Sequence, residues 1–93
     1  VMDSRDVLTH PEKALRALCE AYGIAFDDAM LEWPSGPRDS DGVWAPHWYA
    51  SVEASTGFGP YVPFDGDVPR KVQPLLARCQ VLYNELSEHR ITL

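Results

Sequence analysis

The chain has 93 residues, 45 % hydrophobic and 24 % charged, with 14 Asp and Glu against 8 Lys and Arg and a formal charge of −6. Such a length holds one small domain or a piece of a larger one, and its core is marginal because a chain this short buries only about 60 to 65 % of its unfolded surface. The acidic balance argues against nucleic acid as a partner, no apolar run approaches the ~20 residues of a membrane span, and the first residues lack a signal peptide's basic flank and apolar stretch, so a cytoplasmic location is expected.

Val1 and Met2, followed by Asp3-Ser4, read as the end of a β-strand or as residues of no element. The first helix is expected over about 10–22. Thr9 at its N-cap and Glu12 three positions later form a capping box, and Pro11 suits the first turn because its missing N–H has no intrahelical partner. Leu15, Leu18, Cys19 and Tyr22 repeat at helical spacing, and Gly23 followed by Ile24 is the pattern of a left-handed helix stop. Asp27 can cap a short helix over about 28–32 before Trp33-Pro34 forces the chain out. The turn-forming run Ser35 to Gly42 makes 33–45 a loop. A third helix is expected over about 46–55, with Pro46 in its first turn and Trp48 and Val52 on one face. The stretch 57–68 reads as irregular chain. The last helix, about 71–88, carries Val72, Leu75, Leu76, Cys79, Leu82, Tyr83 and Leu86 at helical spacing, with Pro74 near its start and the basic His89 and Arg90 at its C-terminal end. The expected class is therefore mainly α.

Seven of the ten aromatic residues lie between Trp33 and Phe64, where five of the eight prolines and four of the six glycines also fall. Large rings are concentrated where regular structure is weakest. Such rings usually fasten irregular loops to a core, and they can also stack on a ligand. Arg38 is the only basic residue between Arg16 and Arg70 and could hold a phosphate or carboxylate, unless the neighbouring Asp39 uses it. His47 is the only histidine inside the aromatic block, where a general-base role would need a carboxylate or substrate in reach. Ser55-Thr56-Gly57 offers hydroxyl and backbone donors but is also a common helix exit. Cys19 and Cys79 sit on apolar stripes and read as reduced packing residues. The three histidines are scattered and no Cys or His falls at ligand spacing, so no metal site is expected. No phosphate loop, dinucleotide fingerprint or nucleophile elbow occurs, and no catalytic residue can be named.

The pattern Asp6-Val7-Leu8, Pro11, Leu15, Leu18-Cys19, Tyr22-Gly23-Ile24, Phe26, Met30-Leu31 and Trp33-Pro34 resembles the C-terminal third of bacterial sulfotransferase-like P-loop proteins. The runs Trp33 to Arg38, Asp41 to Tyr49 and Ala54 to Phe58 are similar to a subgroup that is also labelled branched-chain aminotransferase-like. The resemblance implies a helical C-terminal segment of an α/β P-loop fold whose parallel sheet is missing. It also implies 3′-phosphoadenylyl sulfate as the donor of the complete protein, bound by a phosphate loop in an N-terminal part that these residues do not contain. The Arg-Lys-Gly segment with which better-known sulfotransferases close over the donor's 3′-phosphate has no counterpart between Asp41 and Phe58.

Residues 1–93 are accordingly expected to form a single helical unit, a portion of a sulfotransferase-like protein that is not active alone. Its partner is the missing N-terminal α/β part. Arg38, Trp44, His47, Trp48, Ser55 and Thr56 are the candidates for the substrate or donor side, by their clustering and by the family position. The alternative is a freestanding helical interaction module, in which the first and last helices pair with each other and with a second copy as a homodimer.

Overall fold

The computed structural model describes all residues, 1–93. Its first element was not expected: Asp3, in extended conformation, accepts a hydrogen bond from the Arg5 N–H and caps helix α1, Ser4–Thr9. Val1 and Met2 belong to no strand. Thr9 thus closes α1 instead of capping the next helix, because Pro11 has no N–H with which to carry α1 onward. Helix α2, Pro11–Tyr22, has His10 at its N-cap with no side-chain cap, so the expected capping box does not form. Glu12 instead reaches one turn on to Arg16, 2.9 Å away. At the other end the stop is as expected. Gly23 takes φ +66°, its N–H donates to Glu20 O, and the Ile24 N–H donates to Cys19 O at 3.0 Å, which satisfies two carbonyls of the last turn.

The second expected helix is a single 3-10 turn, Asp28–Met30, capped by the Asp27 carboxylate through the Ala29 N–H. Trp33-Pro34 keeps it from lengthening. It folds back on α2, where Cys19 Sγ lies 3.8 Å from Met30 Sδ and Arg16 stacks its guanidinium 3.9 Å from the Phe26 ring centre. The expected third helix is divided into α3, Ala45–Trp48, and α4, Ala50–Ala54, since the backbone leaves helical values at Tyr49 (φ −100°, ψ 12°). After an irregular stretch, a 3-10 turn, Arg70–Val72, leads into α5, Gln73–Ser87, with Pro74 in the first turn where it costs no hydrogen bond. Because α5 stops at Ser87, His89 and Arg90 lie in the turn beyond it.

There are no β-strands, only one antiparallel bridge between Glu32 and Gly57. No helix is long and apolar enough to cross a membrane. The core is very small: Ala14, Cys19 and Ala45 are its only buried residues. Helices α1 and α2 pack together, and α3 and α4 pack together, whereas α5 packs mainly on the 3-10 turn before it. Cys79 is therefore exposed on α5, against the expectation that it packs like Cys19; both are free thiols. The radius of gyration is 16.7 Å, against about 12 Å for a compact chain of this length. The accessible surface is 7821 Å², where a compact monomer of this mass exposes roughly 5,400 Å².

Candidate functional site

Two concave regions hold three of the six candidates, Thr56 in one and Trp44 with Trp48 in the other. The larger, about 930 Å³, lies where the N-terminus of α2 faces the Glu32–Gly57 bridge, and His10, Lys13, Trp33, Thr56 and Phe58 are among its lining residues. Its floor follows from local geometry. The Trp33 N–H donates to Thr56 O at 3.0 Å, and the Trp33 indole N–H donates to Ser55 Oγ at 3.0 Å. The Phe58 ring meets the Trp33 ring edge to face, 5.5 Å apart at 80°. Gly57 suits the place where the two segments touch, because a Cβ there would stand 3.1 Å from the Leu31 carbonyl oxygen and make a tight contact with backbone. The acidic Glu12 and Glu32 share this cleft with His10 and Lys13, so its charge is mixed.

The second region, about 450 Å³, is lined by Trp44, Trp48 and Tyr49 alone. Trp44 precedes α3 and Trp48 ends it, so one turn of helix brings the rings to one side. Trp44 is 67 % and Trp48 75 % exposed. Rings of this size left so open are unusual in a monomer's own core and form an apolar wall. His47, between them in sequence, is also exposed and makes no side-chain hydrogen bond. Arg38 sits in the preceding loop. Its N–H donates to Asp41 Oδ2 at 2.8 Å and its Nη2 to the Pro34 carbonyl at 3.3 Å, so the guanidinium is tied to its own loop, with no carboxylate paired to it.

The six candidates thus do not converge on one point. Trp44 and Trp48 build the aromatic wall, Thr56 lines the larger cleft, and Ser55 is engaged as a brace: its hydroxyl donates to Val52 O at 2.6 Å and accepts from the Trp33 indole. The residues that reading the sequence overlooked are His10, Lys13, Trp33 and Phe58 at the larger cleft. The only sequence signal for them was the pair of Trp33-Pro34 and Gly57-Phe58 segments, whose contact is a backbone bridge that carries no sequence motif. Toward the donor implied by the resemblance, the Arg38 loop offers one cation, with Asp39 and Asp41 beside it, and the larger cleft offers Lys13 between Glu12 and Glu32. Each suits at most a single anionic group, and neither fits a phosphosulfate.

The family model of the sulfotransferase domain matches residues 1–89. Two proteins of Arabidopsis thaliana are similar over 89 residues: branched-chain-amino-acid aminotransferase-like protein 1 is 43 % identical and branched-chain-amino-acid aminotransferase-like protein 2 is 38 % identical, each match covering 96 % of this chain. The chain spans only 16 % of the length of either relative. No solved structure matches it.

Proposed function

This chain belongs to the sulfotransferase domain family, and we propose that it forms the C-terminal portion of a sulfotransferase-like P-loop protein that, when complete, transfers a sulfuryl group from 3′-phosphoadenylyl sulfate. The observation that carries the reading is the family match over almost the whole chain, coupled with a fold that buries only three residues. Helices that expose this much apolar surface are suited to packing on a further layer, and a helical layer on a parallel sheet is the ordinary architecture of α/β proteins. In this reading α2 and the Glu32–Gly57 bridge hold the irregular segments in place, while the Trp44–Trp48 wall and Arg38 border the acceptor or the donor's outer phosphate. The phosphosulfate itself belongs to the N-terminal part, and no step of transfer is assigned to residues of this chain. The term aminotransferase-like belongs to the names of those longer relatives, and no aminotransferase activity is proposed for this chain.

The test is a full-length relative carrying residues 1–89 of this chain in place of its own matching stretch. Sulfuryl transfer from the donor is expected, and Arg38→Ala and Trp44→Ala are expected to weaken donor or acceptor binding. If both substitutions leave donor and acceptor binding unchanged, the assignment of these residues is wrong; if the chimera folds and binds no sulfate donor, the functional reading is wrong.

A further inference from the structure

We propose that one face of α5 is a core face of the complete protein, covered there by an apolar surface of the same polypeptide that lies outside residues 1–93. At about 100° per residue, Leu75, Leu76, Cys79, Leu82, Tyr83 and Leu86 fall within an arc of about 120°. The only charged side chains of the helix, Arg78 and Glu85, lie outside that arc, and so does the Gln80–Asn84 amide pair, joined at 2.9 Å. Three apolar positions in every seven make a stripe broader than the two-position seam on which a single helix packs. That width is the one with which a helix faces the core of a globular protein.

The chain itself supplies no core for this face. On α2, whose stripe has the same kind of spacing, Ala14 and Cys19 are buried and Met30 of the following 3-10 turn lies against the Cys19 sulfur. On α5 no residue is buried. Tyr83, at one edge of the arc, gives its hydroxyl to Asp3, the cap of α1, so the arc keeps one direction relative to that helix. The covering surface therefore comes from elsewhere, and the relatives hold it: the match takes up only 16 % of the length of either, so most of each polypeptide lies outside it. Covalent connection favours that source over a second copy. A surface on the same polypeptide meets the face at an effective concentration on the order of millimolar, whereas a second copy meets it only at the concentration of the protein.

This inference rests on the part of the functional reading that makes residues 1–93 a portion of a longer protein, and not on sulfuryl transfer. The test compares the 93-residue chain with the complete encoded protein, by the rate at which a water-soluble maleimide labels Cys79, located by mass spectrometry. Cys79 is exposed in this chain and Cys19 is buried. Cys79 is expected to label fast here and at least about tenfold more slowly in the complete protein. Val81→Cys in a Cys79→Ser background, on the opposite side of the helix, is expected to label at the same rate in both. Leu82→Asp is expected to leave the helicity of the 93-residue chain unchanged, since Leu82 is more than half exposed, and to lower the thermal midpoint of the complete protein. The inference is overturned if Cys79 labels equally fast in both, if Val81→Cys is slowed as much as Cys79, if Leu82→Asp leaves the midpoint of the complete protein in place, or if the encoded protein has no residues beyond these 93. It is also overturned if Cys79 labels slowly in the 93-residue chain and faster on dilution, because a second copy then covers the face. A complete protein that protects Cys79 and binds no sulfate donor supports the inference and overturns the functional reading alone.

Discussion

The Tyr83 hydroxyl donates a hydrogen bond to the Asp3 carboxylate across eighty positions of sequence, and beside it the Ile91 N–H donates to Val1 O at 3.0 Å. These two contacts moor α5 to the start of the chain. The Tyr83 hydrogen bond, followed by that from the Arg5 N–H, holds the Asp3 carboxyl below its ordinary value of 3.8. A carboxyl depressed in the fold contributes stability above its unfolded pKa and loses it as pH falls through the folded value. The mooring is therefore expected to hold at neutral pH and to loosen in acid, below the ordinary Asp value. In Tyr83→Phe the Asp3 carboxyl carbon, followed by NMR, is expected to titrate at higher pH than in the parent chain. An unchanged midpoint would show that Tyr83 does not set the ionisation of Asp3.

Gly23 holds φ +66° with open space where a Cβ would stand. Its replacement meets no steric neighbour, so any cost is that of the left-handed backbone alone. Gly23→Ala is expected to destabilise the C-terminal turn of α2 by about 1 kcal/mol. Amide exchange at Ile24, whose N–H closes the six-residue hydrogen bond to Cys19, is the measurement. Exchange at the parent rate would contradict this account of the stop.

The sequence made α2, its glycine stop and α5 legible, since these rest on local signals: apolar spacing, Pro in a first turn, Gly at a left-handed position. Where two local signals competed, the reading failed. Thr9 can cap a helix or close one, and Asp3, two residues ahead of Arg5, had already capped α1. Cys79 has the spacing of a packed residue, but spacing defines a face and says nothing of what covers it. The candidate site suffered from the same limit. Ser55 and Trp33 are joined through a side-chain hydrogen bond between segments 22 positions apart, and the Arg38 loop is stabilised by its own Asp41. Loop composition marks such residues as available, whereas the fold has already engaged them.

That engagement of Ser55 can be measured. Ser55→Ala removes the acceptor of the Trp33 indole N–H and the donor to Val52 O, and it is expected to cost about 1 to 2 kcal/mol in the stability of the Glu32–Gly57 region. The indole proton of Trp33 is expected to exchange faster and to shift upfield. If Ser55 instead serves a ligand and not the loop, the indole resonance will not move.

Ala14 and Trp48 are opposite cases of size and exposure, and they predict opposite outcomes. Ala14 is fully buried on α2, the helix that packs against α1, while Trp48 is 75 % exposed. Ala14→Leu forces three extra carbons into a closed seam and is expected to destabilise the α1–α2 pair by about 1 to 3 kcal/mol. Trp48→Ala removes the largest side chain available yet is expected to change stability by no more than about 0.5 kcal/mol, because nothing in the chain packs on its outer face. Thermal unfolding followed by far-ultraviolet circular dichroism compares the two directly. If Trp48→Ala were the more damaging change, the aromatic wall would be a core element of this chain and not a surface free to meet a ligand or a further layer of protein.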